Sequence, residues 1–165
     1  MKYLATIGMM FVLMASAPGD EQNGLLLSVQ KTVLDKAKTP HAFDDWTKVD
    51  KALALKVTAS NTSLSDMPAG TITCTLVIKR WGHDPAEYVS YTKTEPFPPL
   101  KTSEEINMVL CKTKVGGYES SADRREFQDS IEGWQIIVKH GEVETLNMTS
   151  NGDYDKLLAE SKPGR

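Results

Sequence analysis

Apolar and polar side chains alternate through most of the chain, and the alternation has the period of a strand. In residues 52–60, Leu53, Leu55, Val57 and Ala59 interleave with Ala54, Lys56, Thr58 and Ser60, as a half-buried strand requires. Residues 71–80 repeat this, with Ile72, Cys74, Leu76 and Ile78 on one face and mostly threonines on the other. Residues 25–34 set Leu25, Leu27, Val29 and Val33 at the same period, although Leu26, Val29 and Val33 also fit a helical stripe. We read them as a strand, with pairing inside its own sheet favoured over addition to a neighbour's open edge. Residues 87–93 are aromatic and β-branched and end at Pro96, Pro98 and Pro99, which cannot join a central ladder. Residues 106–115 predict a fifth strand, closed by Gly116 and Gly117. Two more, 134–139 and 142–148, flank His140 and Gly141, a pair suited to a tight hairpin turn.

Two stretches break the pattern. Residues 118–131 are the most polar internal segment, with little apolar content beyond Phe127, and predict an exposed loop with room for a helical turn. Residues 153–162 predict a short helix that Asp153 caps, that presents Tyr154, Leu157 and Leu158 together, and that Pro163 and Gly164 end. Seven short strands with no helices between them cannot make parallel crossovers. The expected class is all-β: an antiparallel, immunoglobulin-like two-sheet sandwich with a short C-terminal helix.

The N-terminus reads differently from the rest. Lys2 precedes an uncharged run to Gly19 whose apolar centre has the length and order of a secretory signal, too short for a comfortable membrane span. Pro18 after Ala15-Ser16-Ala17 disfavours cleavage there, so the mature domain is expected at residues 20–165. The protein is then exported, to the periplasm, the cell surface or the medium, with no stable membrane span once the signal is removed.

Length and charge narrow the partners. A chain of 165 residues has room for one domain with appendages. With 19 basic against 22 acidic residues there is no excess charge to neutralise phosphates, so nucleic acid is not an expected partner. His41, His83 and His140 are scattered and make no metal-ligand pair, and the Asp153-Tyr154-Asp155 run lacks the glycine of a calcium loop, Leu158 standing in its place. No phosphate loop, dinucleotide fingerprint or nucleophile elbow occurs, so no catalytic residue, metal or cofactor is expected. A hydrolase with an unrecognised carboxylate pair is the weakest reading.

Two candidate features remain. Cys74 and Cys111, 37 positions apart, both fall in predicted strands. A bridge closing that loop would stabilise the fold by about 4 kcal/mol. Strict alternation, however, puts Cys111 with Val109 and Val115, opposite Ile106, Met108 and Leu110, so bridging and two separate buried thiols both stand. The second feature is a set of aromatic residues near strand ends: Trp46, Trp81, Tyr88, Tyr91 and Phe97. Trp81, Tyr88, Tyr91 and Trp46 are the candidate binding residues, for a protein partner or for sugar faces; the plain alternative is that Trp81 and Trp134 plug the core. Asn61-Thr62-Ser63 and Asn147-Met148-Thr149 fit the glycosylation sequon.

Several segments together carry a family likeness. They are the early strand leading into Thr39-Pro40, the alternating strand ending in Asn61-Thr62-Ser63, the Pro68–Ile72 run, and the late Gly133-Trp134, hairpin and Tyr154–Leu157. Over about residues 25–160 the chain resembles small secreted immunoglobulin-like proteins of mucin-dwelling gut bacteria, including one associated with a type IV pilus cluster. The resemblance implies a role in surface assembly, adhesion or host contact, and carries no catalytic residues. The resulting expectation is a noncatalytic interaction protein that contacts a protein partner or a second copy of itself; the alternative is a carbohydrate-binding module using loop aromatics.

Overall fold

The computed structural model describes residues 20–40, 46–82, 85–120 and 126–164. The segment read as an export signal lies outside them, as do His41 and His83. All seven expected strands form: β2 (Leu25–Pro40), β3 (Trp46–Asn61), β4 (Gly70–Arg80), β5 (Glu87–Phe97), β6 (Glu105–Ser120), β8 (Ser130–His140) and β9 (Val143–Thr149). Three short strands, β1 (Asp20–Gln22), β7 (Glu126–Gln128) and β10 (Lys162–Pro163), and one helix, α1 (Tyr154–Glu160), complete the described elements.

The strands make two sheets, in the orders β1-β2-β3-β6-β7 and β10-β5-β4-β8-β9. Every pairing is antiparallel except that of β10 on β5. Among the long strands, β2-β3-β6 therefore stack on β5-β4-β8-β9, an immunoglobulin-like sandwich. Most of the predicted inward residues are buried: Leu25, Leu27 and Val29 of β2, Leu55, Val57 and Ala59 of β3, and Ile72, Cys74, Leu76 and Ile78 of β4 belong to one core, whereas Leu53 is only partly buried against it and Val33 is exposed. Burying each Leu or Ile contributes about 1.5–3 kcal/mol, which is what holds the sheets face to face. Trp134 lies in this core opposite Leu76.

The strands of the first sheet run further than alternation indicated. Beyond Val33, β2 continues to Pro40 in unbroken register with β3 after a bulge at Val33/Asp35. Its residues from Val33 to Pro40 are exposed. An alternating pattern records the burial of one face, so a ladder wetted on both faces leaves no such trace. Lys36 and Lys38 instead reach across to Glu119 on β6. β2 pairs with β3 throughout, as expected, and among the described residues its other edge is covered by β1 only at Leu25–Leu27. Lys31, Lys36, Lys38, the bulge and Pro40 are the devices that blunt such an edge.

Five local expectations need correction. The described part of 118–131 is mostly strand where a loop was expected: Tyr118–Ser120 finish β6, 126–128 form β7, and Ser130 begins β8, while 121–125 lie outside the described residues. Gly116 and Gly117 sit inside β6 and do not end it. Pro96 is part of β5, opposite Thr71; β10 covers β5 only at Val89 and Ser90, so Pro96 lies on an edge where proline is tolerated. Asp153 precedes α1 without making a side-chain cap; the helix stops at Glu160, and Lys162-Pro163 return to strand. The helix is held by packing, with Tyr154 buried on the outer face over Gly133, where an added Cβ would lie 3.3 Å from the Tyr154 ring. In the hairpin, His140 pairs with Val143, so the turn is Gly141-Glu142, with Gly141 at φ 61°.

Candidate functional site

Asp129 is the single residue between β7 of one sheet and β8 of the other. Its carboxylate ties the crossing chain to both neighbours: Oδ1 accepts the Trp81 N–H at 2.8 Å, and Oδ2 accepts Arg80 Nη1 at 2.6 Å and the Gly116 N–H at 3.3 Å. The Asp129 N–H in turn donates to the Gly116 carbonyl at 3.1 Å. Arg80 spends its other terminal nitrogen on the Tyr91 hydroxyl, at 2.9 Å. The hydrogen bond to Asp129 pushes the Arg80 guanidinium above its ordinary pKa.

Four aromatic rings are gathered beside this pin. Trp46 lies 5.5 Å from Phe127, Phe127 lies 5.3 Å from Trp81, and Trp81 lies 5.7 Å from Tyr118, centroid to centroid. The register explains the grouping. Phe127 faces Tyr118 across the β6–β7 ladder, and Trp46 faces Ser120, two residues on from Tyr118, so the three side chains leave the same face. Gly117 makes the approach of β7 possible, since a Cβ there would sit 2.4 Å from the Phe127 carbonyl oxygen. Trp81 remains 41% exposed, while Trp46, Tyr118 and Phe127 are half-buried. The interplanar angles, 43°, 45° and 55°, leave the rings without a common plane.

Of the four candidate binding residues, the structure brings Trp46 and Trp81 together through Phe127 and leaves the two tyrosines elsewhere. Tyr91, opposite Leu76, has its ring covered by Gly164 and its hydroxyl held by Arg80. Tyr88, opposite Lys79 and three residues away, projects from the other face of β5. Tyr91 is therefore a support for Arg80 and, through Asp129, for Trp81. Sequence reasoning missed Asp129, Tyr118 and Phe127 as site residues; the one signal was Phe127 standing alone in a polar stretch.

The remaining candidates are placed as follows. Asn61, first residue of one sequon, is buried, and its Nδ2 donates to the carbonyls of Ser65, Leu100 and Lys101 at 2.9, 3.2 and 3.1 Å, which leaves no amide proton for a glycan. His140 Nδ1 contacts Thr145 Oγ1 at 2.6 Å, its ring sits edge-on to Phe97, and burial lowers its pKa. A cleft of about 300 Å³ opens between the sheets, bordered by Lys31, Val33, Lys51, Leu53, Asp129 and Ile131. Lys31 Nζ donates to the Ile131 carbonyl at 2.6 Å and Lys51 to Gln128 Oε1. Among the described residues, no group of three His, Cys, Asp or Glu is placed to hold a metal ion, and no helix is long and apolar enough to cross a membrane.

Both cysteines are buried, and their thiols are free. Cys111 Sγ donates to the Cys74 carbonyl at 2.9 Å. The contact between the two thiols, and burial after it, raise the Cys74 pKa far above its usual range.

No known protein family matches this chain, and no curated protein does. Among solved structures, a chain in a crystal structure from Akkermansia muciniphila aligns with 93% of this chain and 85% of its own length, at 13% identity and a TM-score of 0.38.

Proposed function

We propose that this chain is a noncatalytic interaction protein of the exported compartment, whose sandwich holds Trp81, Phe127, Trp46 and Tyr118 against the apolar surface of another protein. Surface assembly or adhesion, including association with a pilus, is the role such a contact serves. The observation that carries the reading is Trp81: the residue is 41% exposed while its ring packs against Phe127 and Tyr118 and its backbone N–H is fixed by Asp129. A large ring held still in water loses little freedom on docking, which is why Trp and Tyr dominate the energetic centres of interfaces. The tilts between the rings favour insertion into a contoured protein surface over stacking on the flat face of a sugar.

Capture from envelope extracts by immobilised wild type and Trp81→Ala, with mass-spectrometric identification, tests this. The expected result is a defined protein retained by wild type and weakened at least tenfold by the substitution. Equal retention by both forms overturns the reading, and loss of glycan-array binding on Trp81→Ala would replace it with the carbohydrate-binding one.

A further inference from the structure

Leu110 and Cys111 are neighbours in β6, yet both are buried, at 1% and 5% exposure. Alternation forbids this in a regular strand. The register shows how it is done: Leu55 pairs with Leu110 but Leu53 pairs with Thr113, so Cys111 and Lys112 together face the single residue Ala54. This is a β-bulge, and Cys111 occupies its left-handed position at φ 51°, a conformation usually taken by glycine. A non-glycine residue there is strained by roughly 1–2 kcal/mol, and such strain persists where the surroundings require it. What the bulge achieves is to turn the Cys111 thiol inward, across the gap between the sheets, onto Cys74 of β4.

We infer that Cys74 and Cys111 are a disulfide-forming pair that ties the two sheets together, and that the bond forms while the chain is folding. The juxtaposition is inter-sheet, in a shared core, with the Cys111 thiol already at 2.9 Å from the Cys74 backbone. Both residues are at most 5% exposed, so a bulky oxidant reaches neither sulfur once the sheets have closed. The electron acceptor is an external disulfide, either a small-molecule one or that of a thiol oxidase. One cysteine thiolate attacks it to give a mixed disulfide and expel a thiolate. The second cysteine thiolate then attacks the protein sulfur of that mixed disulfide and expels the other half of the acceptor. In balance, the two cysteines lose two protons and two electrons, the Cys74–Cys111 sulfur bond forms, and the acceptor disulfide becomes two thiols. Export to an oxidising compartment is where this would occur, and to that extent the inference rests on the export reading.

The decisive experiment separates the two. The full chain is refolded from denaturant in a mixture of oxidised and reduced glutathione, then denatured, alkylated and mass-analysed; this requires no export. The expected product takes up no alkylating reagent and yields a single linked peptide pair containing Cys74 and Cys111. Two free thiols, a glutathione adduct or a linked dimer in the folded fraction overturns the inference. Chain folded under reduction and then exposed to the same mixture without denaturant is expected to oxidise at least tenfold more slowly than chain refolding in it; equal rates overturn the claim that the bond forms during folding. Failure of the export reading registers separately, as free thiols in protein recovered from cells alongside normal oxidation in the refolding test.

Discussion

Asp129 accepts the backbone N–H of Trp81 at 2.8 Å, so the carboxylate of a one-residue crossover between the sheets fixes where the most exposed tryptophan of the site begins. The same group satisfies Arg80 and Gly116. Replacing it leaves three donors short of an acceptor at a largely buried point, the Asp129 side chain being 9% exposed. Asp129→Ala is therefore expected to cost about 2–3 kcal/mol, since a buried partner is lost while Arg80 stays partly in water. Urea unfolding followed by tryptophan emission checks it; a loss under about 0.5 kcal/mol, the range of neutral surface changes, would show that the network is incidental.

The two adjacent glycines of β6 give a paired test of how the cluster is built. A Cβ on Gly117 would lie 2.4 Å from the Phe127 carbonyl oxygen, whereas one on Gly116 meets nothing nearer than Asp50 Oδ1 at 3.9 Å. Gly117→Ala is expected to displace β7, destabilising by about 1–3 kcal/mol and separating Phe127 from Tyr118. Gly116→Ala is the control with little effect. Near-ultraviolet circular dichroism, which reports the asymmetric packing of the rings, should fall in the first variant and hold in the second.

Glu119 links β6 to the stretch of β2 that is itself exposed. Hydrogen bonds from Lys36 and Lys38 hold its carboxyl down at about 2, against an ordinary value of 4.5. A depressed carboxylate stabilises the fold fully above the unfolded-state value and loses that contribution as pH falls through the folded one. Wild type is thus expected to exceed Glu119→Gln in stability at pH 7, with the gap closing between pH 4.5 and 2. The lysine side chains are 35% and 52% exposed, so screening keeps the gap to no more than about 1 kcal/mol and salt shrinks it further. A gap that is constant with pH contradicts the assignment.

His140 should behave in the same sense, but nearer neutral pH. Burial against Phe97 lowers its pKa from 6.5, so the unfolded chain takes up the proton first and the residue's contribution falls as pH drops below 6.5. A proton-NMR titration midpoint for His140 below 6.5 is expected; a midpoint at or above it would place the ring in water.

How much of this was readable beforehand follows from where alternation exists. Leu53 to Ala59 and Ile72 to Ile78 announce their strands because one face is buried and the other wet. Lys36 and Lys38 belong to an equally regular stretch of β2 whose faces are both wet, and the pattern is silent there. Alternation sets Cys111 opposite Leu110 and leaves open whether it faces Cys74, because a bulge reverses the phase of β6 and a positive φ at a cysteine has no compositional mark. Gly116 and Gly117 read as a terminator because glycine signals turns, whereas Gly117 permits close approach of a neighbouring backbone. Asp129, in a polar stretch, was indistinguishable from a solvated loop residue. The ring cluster depends on β6–β7 pairing, which a three-residue strand does not reveal.

Photo-crosslinking at the site tests the central claim most directly. A photoreactive phenylalanine analogue placed at position 81 keeps an aromatic ring where Trp81 stands, and the same group at Leu64, fully exposed in the 62–69 connection, serves as control. Irradiation in the envelope of producing cells is expected to join position 81, and not position 64, to one protein of defined mass. Equal labelling at both positions, or none at position 81 in folded protein, would contradict the assignment of the aromatic cluster as the contact surface.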